Sequence, residues 1–167
     1  MNDIEKIVSK LQLQPHPEGG YFKEVYRSNG VINKENLGVG FSGQRNYATS
    51  IYFLLTSDSF SAFHRIKQDE IWHFYKGSPI KLHMISDDGK YSNTIIGNDI
   101  EEGQNPQFVV KAQDWFAAEV IDKNAYALVG CTVSPGFDFN DFELPERDVL
   151  ISKYPEHKDI VTAFTRF

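Results

Sequence analysis

The sequence predicts an all-β domain, a double-sheet jelly roll or barrel, with a short helix at its start and helical segments at its end. Three observations carry this. About nine short strand-like runs follow one another between residues 21 and 133. Turn chemistry separates them, at Gly77-Ser78-Pro79, Asp87-Asp88-Gly89, Gly97-Asn98-Asp99 and Asp122-Lys123-Asn124. Several runs are apolar on both faces, as strands of a two-layer fold are.

Residues 3–11 place Ile4, Ile7, Val8 and Leu11 at helical spacing, with Asn2 and Glu5 set as a capping box. Pro15 and Pro17 end this helix. Strands are expected at 21–28, 47–55, 60–65, 70–76, 80–85, 91–96, 107–111, 116–121 and 126–133. The Asp87-Asp88-Gly89-Lys90 stretch is a hairpin signal. Residues 29–44, rich in Gly and Asn, read as a long mobile loop beside the barrel mouth. Beyond Pro145, the residues Val149, Leu150 and Tyr154, then Ile160, Val161 and Phe164, suggest short helical segments. Residues 47–55 have no clean polar face. A strand of that kind is central or is covered by a partner subunit, and a homodimer is the expectation.

At 167 residues, 41% of them apolar and 14% aromatic, the chain fits one domain (1–167) with a core that needs no disulfide or structural metal. The single Cys131 lies in an apolar strand-like run and reads as a small buried thiol. A net charge of −6 without a basic cluster argues against a nucleic-acid partner. No apolar stretch approaches the roughly 20 residues that span a bilayer. The charged residues at the start lack a signal peptide's apolar run. The expectation is a soluble, acidic, cytoplasmic protein without a membrane partner.

The most informative stretch runs from Phe63 to Gly77. By period-two alternation Ala62, His64 and Ile66 share one strand face, and Glu70, Trp72 and Phe74 share a face of the next. Joined by a short polar turn at Lys67-Gln68-Asp69, these strands would set His64 and Glu70 inside an aromatic enclosure. An ionisable pair facing a barrel interior must be paired, hydrated or ligand-bound. It suits acid–base work, and the alternative is a pair that only sets register. His73 falls on the face opposite Glu70, so only a bulge would bring it in. Tyr52 is a proton-donor candidate or an aromatic core residue. Arg27 and Glu24 alternate onto opposite faces, and an inward Arg27, or Arg45, would clamp a carboxylate or phosphate. Asp138 and Asp141 sit in an aromatic-acidic loop that lids the pocket or pins the C-terminal helices. No phosphate loop, Cys-x-x-Cys pair or nucleophile elbow is present.

His64, the residue at 66, Glu70 and Gly77 match the spacing of the first motif of the cupin superfamily. The whole chain resembles its DUF985, or cupin-5, branch among the RmlC-like cupins. The resemblance runs through His16–Ser28, Ala48–Leu55, the 63–77 stretch, Gly103–Gln107, Trp115–Ala118 and Gly130–Phe139. It implies a cupin-type double-stranded β-helix jelly roll, a homodimer, and a family without an established reaction. Ile66 stands where a metal-binding cupin has its second histidine, and Phe116 where it has its third. The resemblance therefore leaves two of four metal ligands, and no metal or other cofactor is expected.

The reading that results is a metal-independent pocket for a small polar, sugar-like molecule, used for isomerase- or epimerase-like chemistry. His64, Glu70 and Tyr52 are the expected catalytic residues. Trp72, Phe74, Phe116, Arg27, Arg45 and Asp138 are expected to contact substrate. The alternatives are a non-catalytic metabolite-binding module, and a degenerate metal cupin using His64, Glu70 and a bulged-in His73.

Overall fold

A computed structural model describes residues 2–167. Helix α1 (Asp3–Leu11) opens on the expected capping box, the Asn2 side chain accepting from the Glu5 N–H and the Glu5 carboxylate accepting from the Asn2 N–H. The strands that follow are β1 (Gln14–Pro15), β2 (Tyr21–Arg27), β3 (Val31–Ile32), β4 (Arg45–Asn46), β5 (Thr49–Thr56) and β6 (Phe60–His64). Then come β7 (Asp69–Gly77), β8 (Ile80–Ile85), β9 (Tyr91–Ile96), β10 (Gln107–Val110), β11 (Trp115–Val120) and β12 (Tyr126–Ser134). Two short helices, α2 (Arg147–Lys153) and α3 (Lys158–Ala163), close the chain.

The strands form a six-stranded sheet in the order β1-β2-β5-β12-β7-β10 and a four-stranded sheet in the order β6-β11-β8-β9. All pairings within both are antiparallel. This is the double-sheet jelly roll that the strand pattern predicts. Residues 29–44, expected to be a featureless loop, contain β3 and a 3-10 turn at Lys34–Asn36, and β3 pairs with β4. The ribbon fixes the loop's two ends side by side.

Alternation explains why several runs are apolar throughout. Ile80, Leu82 and Met84 of β8 pack between the sheets with Phe53, Trp72 and Phe116. Trp115 and Ala117 of β11, Phe63 of β6 and Ile85 point the other way, under Leu150, Tyr154, Val161 and Phe164 of the C-terminal segment. The four-stranded sheet is thus buried on both faces, by the facing sheet and by α2 and α3. Val149, on the helical pattern, turns outward and is 61% exposed.

Gly77 ends β7 at φ +108°, and a Cβ there would lie 2.1 Å from the Tyr126 carbonyl oxygen. Only glycine makes this turn. No helix among the described residues is long and apolar enough to cross a membrane.

Candidate functional site

A small cavity opens between the sheets near the β1–β2 loop. Its volume is about 50 Å³, well below the roughly 150 Å³ that holds a benzene ring. Phe22, Ile51, Phe53, Ile66, Val133, Phe137 and Phe142 form its apolar wall. His16, Glu18, His64, Glu70 and Cys131 face it with titratable groups, and Glu24 with Thr49 also line it. His64 comes from the four-stranded sheet and Glu70 and Cys131 from the six-stranded sheet.

His16 and Glu18 are held by a tight turn. The His16 carbonyl accepts from the Gly19 N–H, and the Gly20 carbonyl accepts from the His16 N–H. Gly19 and Gly20 both take positive φ, at +118° and +74°, which L side chains avoid. The Glu18 carbonyl then accepts from Ala62 N–H at 2.8 Å, docking the turn on β6.

The protonation pattern of this cluster follows from its partners. His64 Nδ1 lies 2.7 Å from the Ala62 carbonyl, which can only accept, so Nδ1 carries a proton. The Glu18 backbone N–H, which can only donate, points at His16 Nδ1, so that nitrogen is bare. Burial pushes the His64 and His16 imidazoliums down to about 3 and about 4, and both rings are neutral. Two ring lone pairs then face one oxygen, Glu18 Oε2, at 3.0 Å from His64 Nε2 and 3.4 Å from His16 Nδ1. The arrangement is attractive only if Oε2 bears a proton. Burial, with the charge of Glu70 adding to it, does push the Glu18 carboxyl well above the usual range, while Ser61 donates to its other oxygen.

Glu70 is 8% exposed, and burial raises it to about 7. The Cys131 thiol and the Trp72 indole N–H lie close enough to restrain that rise, the indole without closing a hydrogen bond. The site therefore offers a carboxyl that changes charge near neutrality and, from the β1–β2 turn, a protonated carboxyl bonded to a histidine of the facing sheet.

The structure brings His64 and Glu70 to one cavity and corrects most of the other expected placements. Tyr52 lies on the outer face of the six-stranded sheet against Tyr75, because Thr49, Ile51 and Phe53 are the inward residues of β5. Trp72 and Phe116 face inward but pack behind the cavity in the core, Phe116 backing the His64 ring at 4.1 Å. Phe74 packs against the core and does not line the cavity.

Arg27 and Glu24 do not fall on opposite faces. A bulge between Glu24 and Tyr26 shifts the β2–β5 register by one residue, so both reach the same side and pair at the mouth at 2.7 Å. Arg45 is buried and bound through Nε and Nη2 to both oxygens of Asp141, 2.7 Å each. Asp138 caps the short turn at Phe139–Asp141 by accepting from the Asn140 N–H. The loop holding them does cover the cavity, through Phe137 and Phe142. Asp141 ties it to Arg45, Gln68 and Lys67 rather than to the C-terminal helices.

His73 contacts Thr132 on the outer face, so His64, Glu70 and His73 do not converge. Among the described residues no group of three or more His, Cys, Asp or Glu could hold a metal ion. With His64 Nε2 committed to Glu18, the cavity's donor set does not suit one.

Sequence reasoning missed His16 and Glu18. Their signal is a histidine and a glutamate two residues apart, directly before a Gly-Gly pair that demands a special backbone. Cys131 was read as buried, which it is, but it also faces Glu70.

Comparison with known proteins agrees with this architecture. Residues 5–145 match the family model described as Cupin superfamily (DUF985). The chain is 32% identical over 149 residues to Uncharacterized protein YML079W of Saccharomyces cerevisiae, covering 84% of this chain and 74% of that one. Among solved structures, a hypothetical protein from Leishmania major superposes with a TM-score of 0.90 at 35% identity, over 99% of this chain and 100% of that one. Protein SO0799 from Shewanella oneidensis gives 0.86 at 36% identity, over 99% of each chain. A Bacillus subtilis oxalate decarboxylase variant shares the fold alone, at a TM-score of 0.55 and 13% identity, over 93% of this chain and 38% of that one. With its family match spanning most of its length, the chain belongs to the DUF985 family of the cupin superfamily.

Proposed function

We propose that the cavity binds the reacting end of a small polar, sugar-like molecule and moves a proton on it, as an isomerase or epimerase does, without a metal. One observation carries this reading: two acid–base centres, Glu70 on β7 and the pair of Glu18 in the β1–β2 turn with His64 on β6, face one small apolar cavity. Glu70 is suited to take a proton from carbon at neutral pH, since a base works best with its pKa near the working pH. The Glu18 proton, held against His64 Nε2, would turn to the carbonyl oxygen of a bound molecule.

In such an isomerisation the C–H electron pair becomes the C=C bond of an enediol while Glu70 holds the carbon's proton. Glu70 then returns that proton to the adjacent carbon, and the second hydroxyl restores Glu18's proton. Every proton taken is returned. The cavity's size admits only a few heavy atoms, so the remainder of the molecule would lie at the mouth among Phe137, Phe142 and the Glu24–Arg27 pair.

The test is deuterium wash-in. Small hydroxy-aldehydes and hydroxy-ketones incubated with the protein in D2O should gain deuterium at the carbon next to the carbonyl, and Glu70→Gln should stop it. Molecules that bind without exchange would instead make this a metabolite-binding module.

We also place the protein in the cytoplasm as a homodimer. The dimer would form through the outer face of the six-stranded sheet, where Tyr26 and Tyr75 are 55% and 48% exposed beside Tyr52 and His73.

A further inference from the structure

We propose that the cavity selects by charge: it admits the uncharged hydroxy-carbonyl end of a small molecule and rejects carboxylates and phosphates. The inference rests on the proposed function and names its substrate class. Among the described residues, no Lys or Arg lines the cavity. The two arginines of the strands and loop at the mouth, Arg27 and Arg45, are both occupied, and Arg166, which donates to the Glu18 carbonyl, is also bound by the Phe60 carbonyl. Arg27 gives Nε and Nη2 to the two oxygens of Glu24, at 2.9 and 2.7 Å. Arg45 gives Nε and Nη2 to the two oxygens of Asp141 and donates further to the Gly43 and Gln44 carbonyls.

What does line the cavity is carboxyl, neutral imidazole, thiol and phenyl. A ligand anion would have to shed its water beside Glu18 and Glu70 with no compensating cation, a cost that neutral hydroxyl and carbonyl groups avoid. Neutral groups find partners here, since the Glu18 proton can turn from His64 Nε2 to a ligand oxygen and Glu70 accepts. Glu24 at the mouth acts as the gate on charge, because it neutralises the guanidinium of Arg27.

Four matched probes test this by NMR titration, read on the Trp72 indole N–H. They are dihydroxyacetone, dihydroxyacetone phosphate, glycolate and aminoacetone. Dihydroxyacetone should bind saturably, and the two anions about tenfold more weakly or not at all, as expected for an uncompensated charge. Glu24→Gln, an exposed substitution, removes the charge that neutralises Arg27, which stays held by Asn46 Oδ1 and the Phe137 carbonyl. It should raise the affinity for glycolate several-fold relative to that for dihydroxyacetone, roughly the strength of one charge-assisted hydrogen bond.

Glycolate or the phosphate binding as well as dihydroxyacetone overturns the inference, as does tighter binding of aminoacetone. Unchanged glycolate exclusion in Glu24→Gln overturns the role given to Glu24. Dihydroxyacetone that binds selectively but shows no deuterium wash-in removes the proton-transfer reading and leaves charge selection standing. If none of the four binds, both fall.

Discussion

His64 Nε2 and Glu18 Oε2 stand 3.0 Å apart and share one proton, which belongs to the carboxyl. The assignment follows from a carbonyl that cannot donate, a backbone N–H that cannot accept, and burial that keeps both imidazoles neutral. It makes Glu18, absent from the superfamily's first motif, the residue through which His64 acts.

Glu18→Gln keeps a donor toward His64 and an acceptor for Ser61, so the fold should lose less than about 1 kcal/mol. Glu18→Ala strands both partners and should cost about 2–3 kcal/mol. Both should lower any turnover by about 10²–10⁴-fold. Urea titration together with the wash-in rate checks each, and a Gln variant that exchanges at the wild-type rate would remove Glu18 from the mechanism.

Glu70 should make stability depend on pH with a definite sign. Its folded-state value, about 7, lies above its ordinary 4.5, so the folded state binds the proton more tightly. The stability it contributes is full below 4.5 and lost as pH rises through 7. Glu70→Gln should gain on the wild type by about 3 kcal/mol between those limits and no further above them. His64 and His16 act in the opposite sense. Held at about 3 and about 4 against an ordinary 6.5, they withdraw stability as pH falls below 6.5. Melting curves of both proteins from pH 4 to 8 separate the contributions, and a pH-independent gap would contradict the Glu70 assignment.

Arg45→Ala should destabilise by about 3–5 kcal/mol, since it leaves Asp141 charged and buried. Burial alone pushes Asp141 up, but hydrogen bonds from Arg45 and Gln68 outweigh it and hold the carboxyl below the usual range. Arg27→Ala, which breaks a pair whose side chains are each 38% exposed, should cost at most about 1 kcal/mol. Chemical denaturation ranks the two, and the reverse order would undo this reading of the loop.

Chelator treatment should leave the melting temperature unchanged, because Ile66 and Phe116 supply no donor and His64 Nε2 is already taken by Glu18. A drop of several degrees on adding EDTA, reversed by one divalent cation, would restore the metal reading.

Sedimentation should show a dimer at micromolar concentration, and Tyr52→Asp with Tyr75→Asp should yield a folded monomer. A wild-type monomer across that range would leave the outer sheet face without a partner.

The strand pattern and the inward placement of His64 and Glu70 were legible because alternation is a local property that the sequence displays directly. Helix α1 was legible for the same reason, its cap lying within three residues of itself. The arginine placements were not. Arg27 depends on one bulged residue that inverts the alternation beyond it, and a bulge leaves no mark in composition. Arg45 depends on a partner 96 positions away. Tyr52 shows the limit of a strand with no clean polar face, where pattern cannot tell inside from outside. His16 and Glu18 lie outside any strand, so periodicity said nothing of them.

The anchor at Asp141 bears on how quickly a ligand can come and go. Arg45, Gln68 and Lys67 hold the far end of the 137–142 loop. The near end is tied as well, the Phe137 N–H donating to Thr49 Oγ1 and its carbonyl accepting from Arg27. The loop covers the cavity with the rings of Phe137 and Phe142, packed edge-on against Phe139. The backbone of this cover cannot swing while the buried ion pair stands, but its rings can rotate. Passage is therefore timed by rotation of these packed rings rather than by the opening of a flap. Residence time would be set by the contacts inside, and a bound probe would give a single averaged NMR signal.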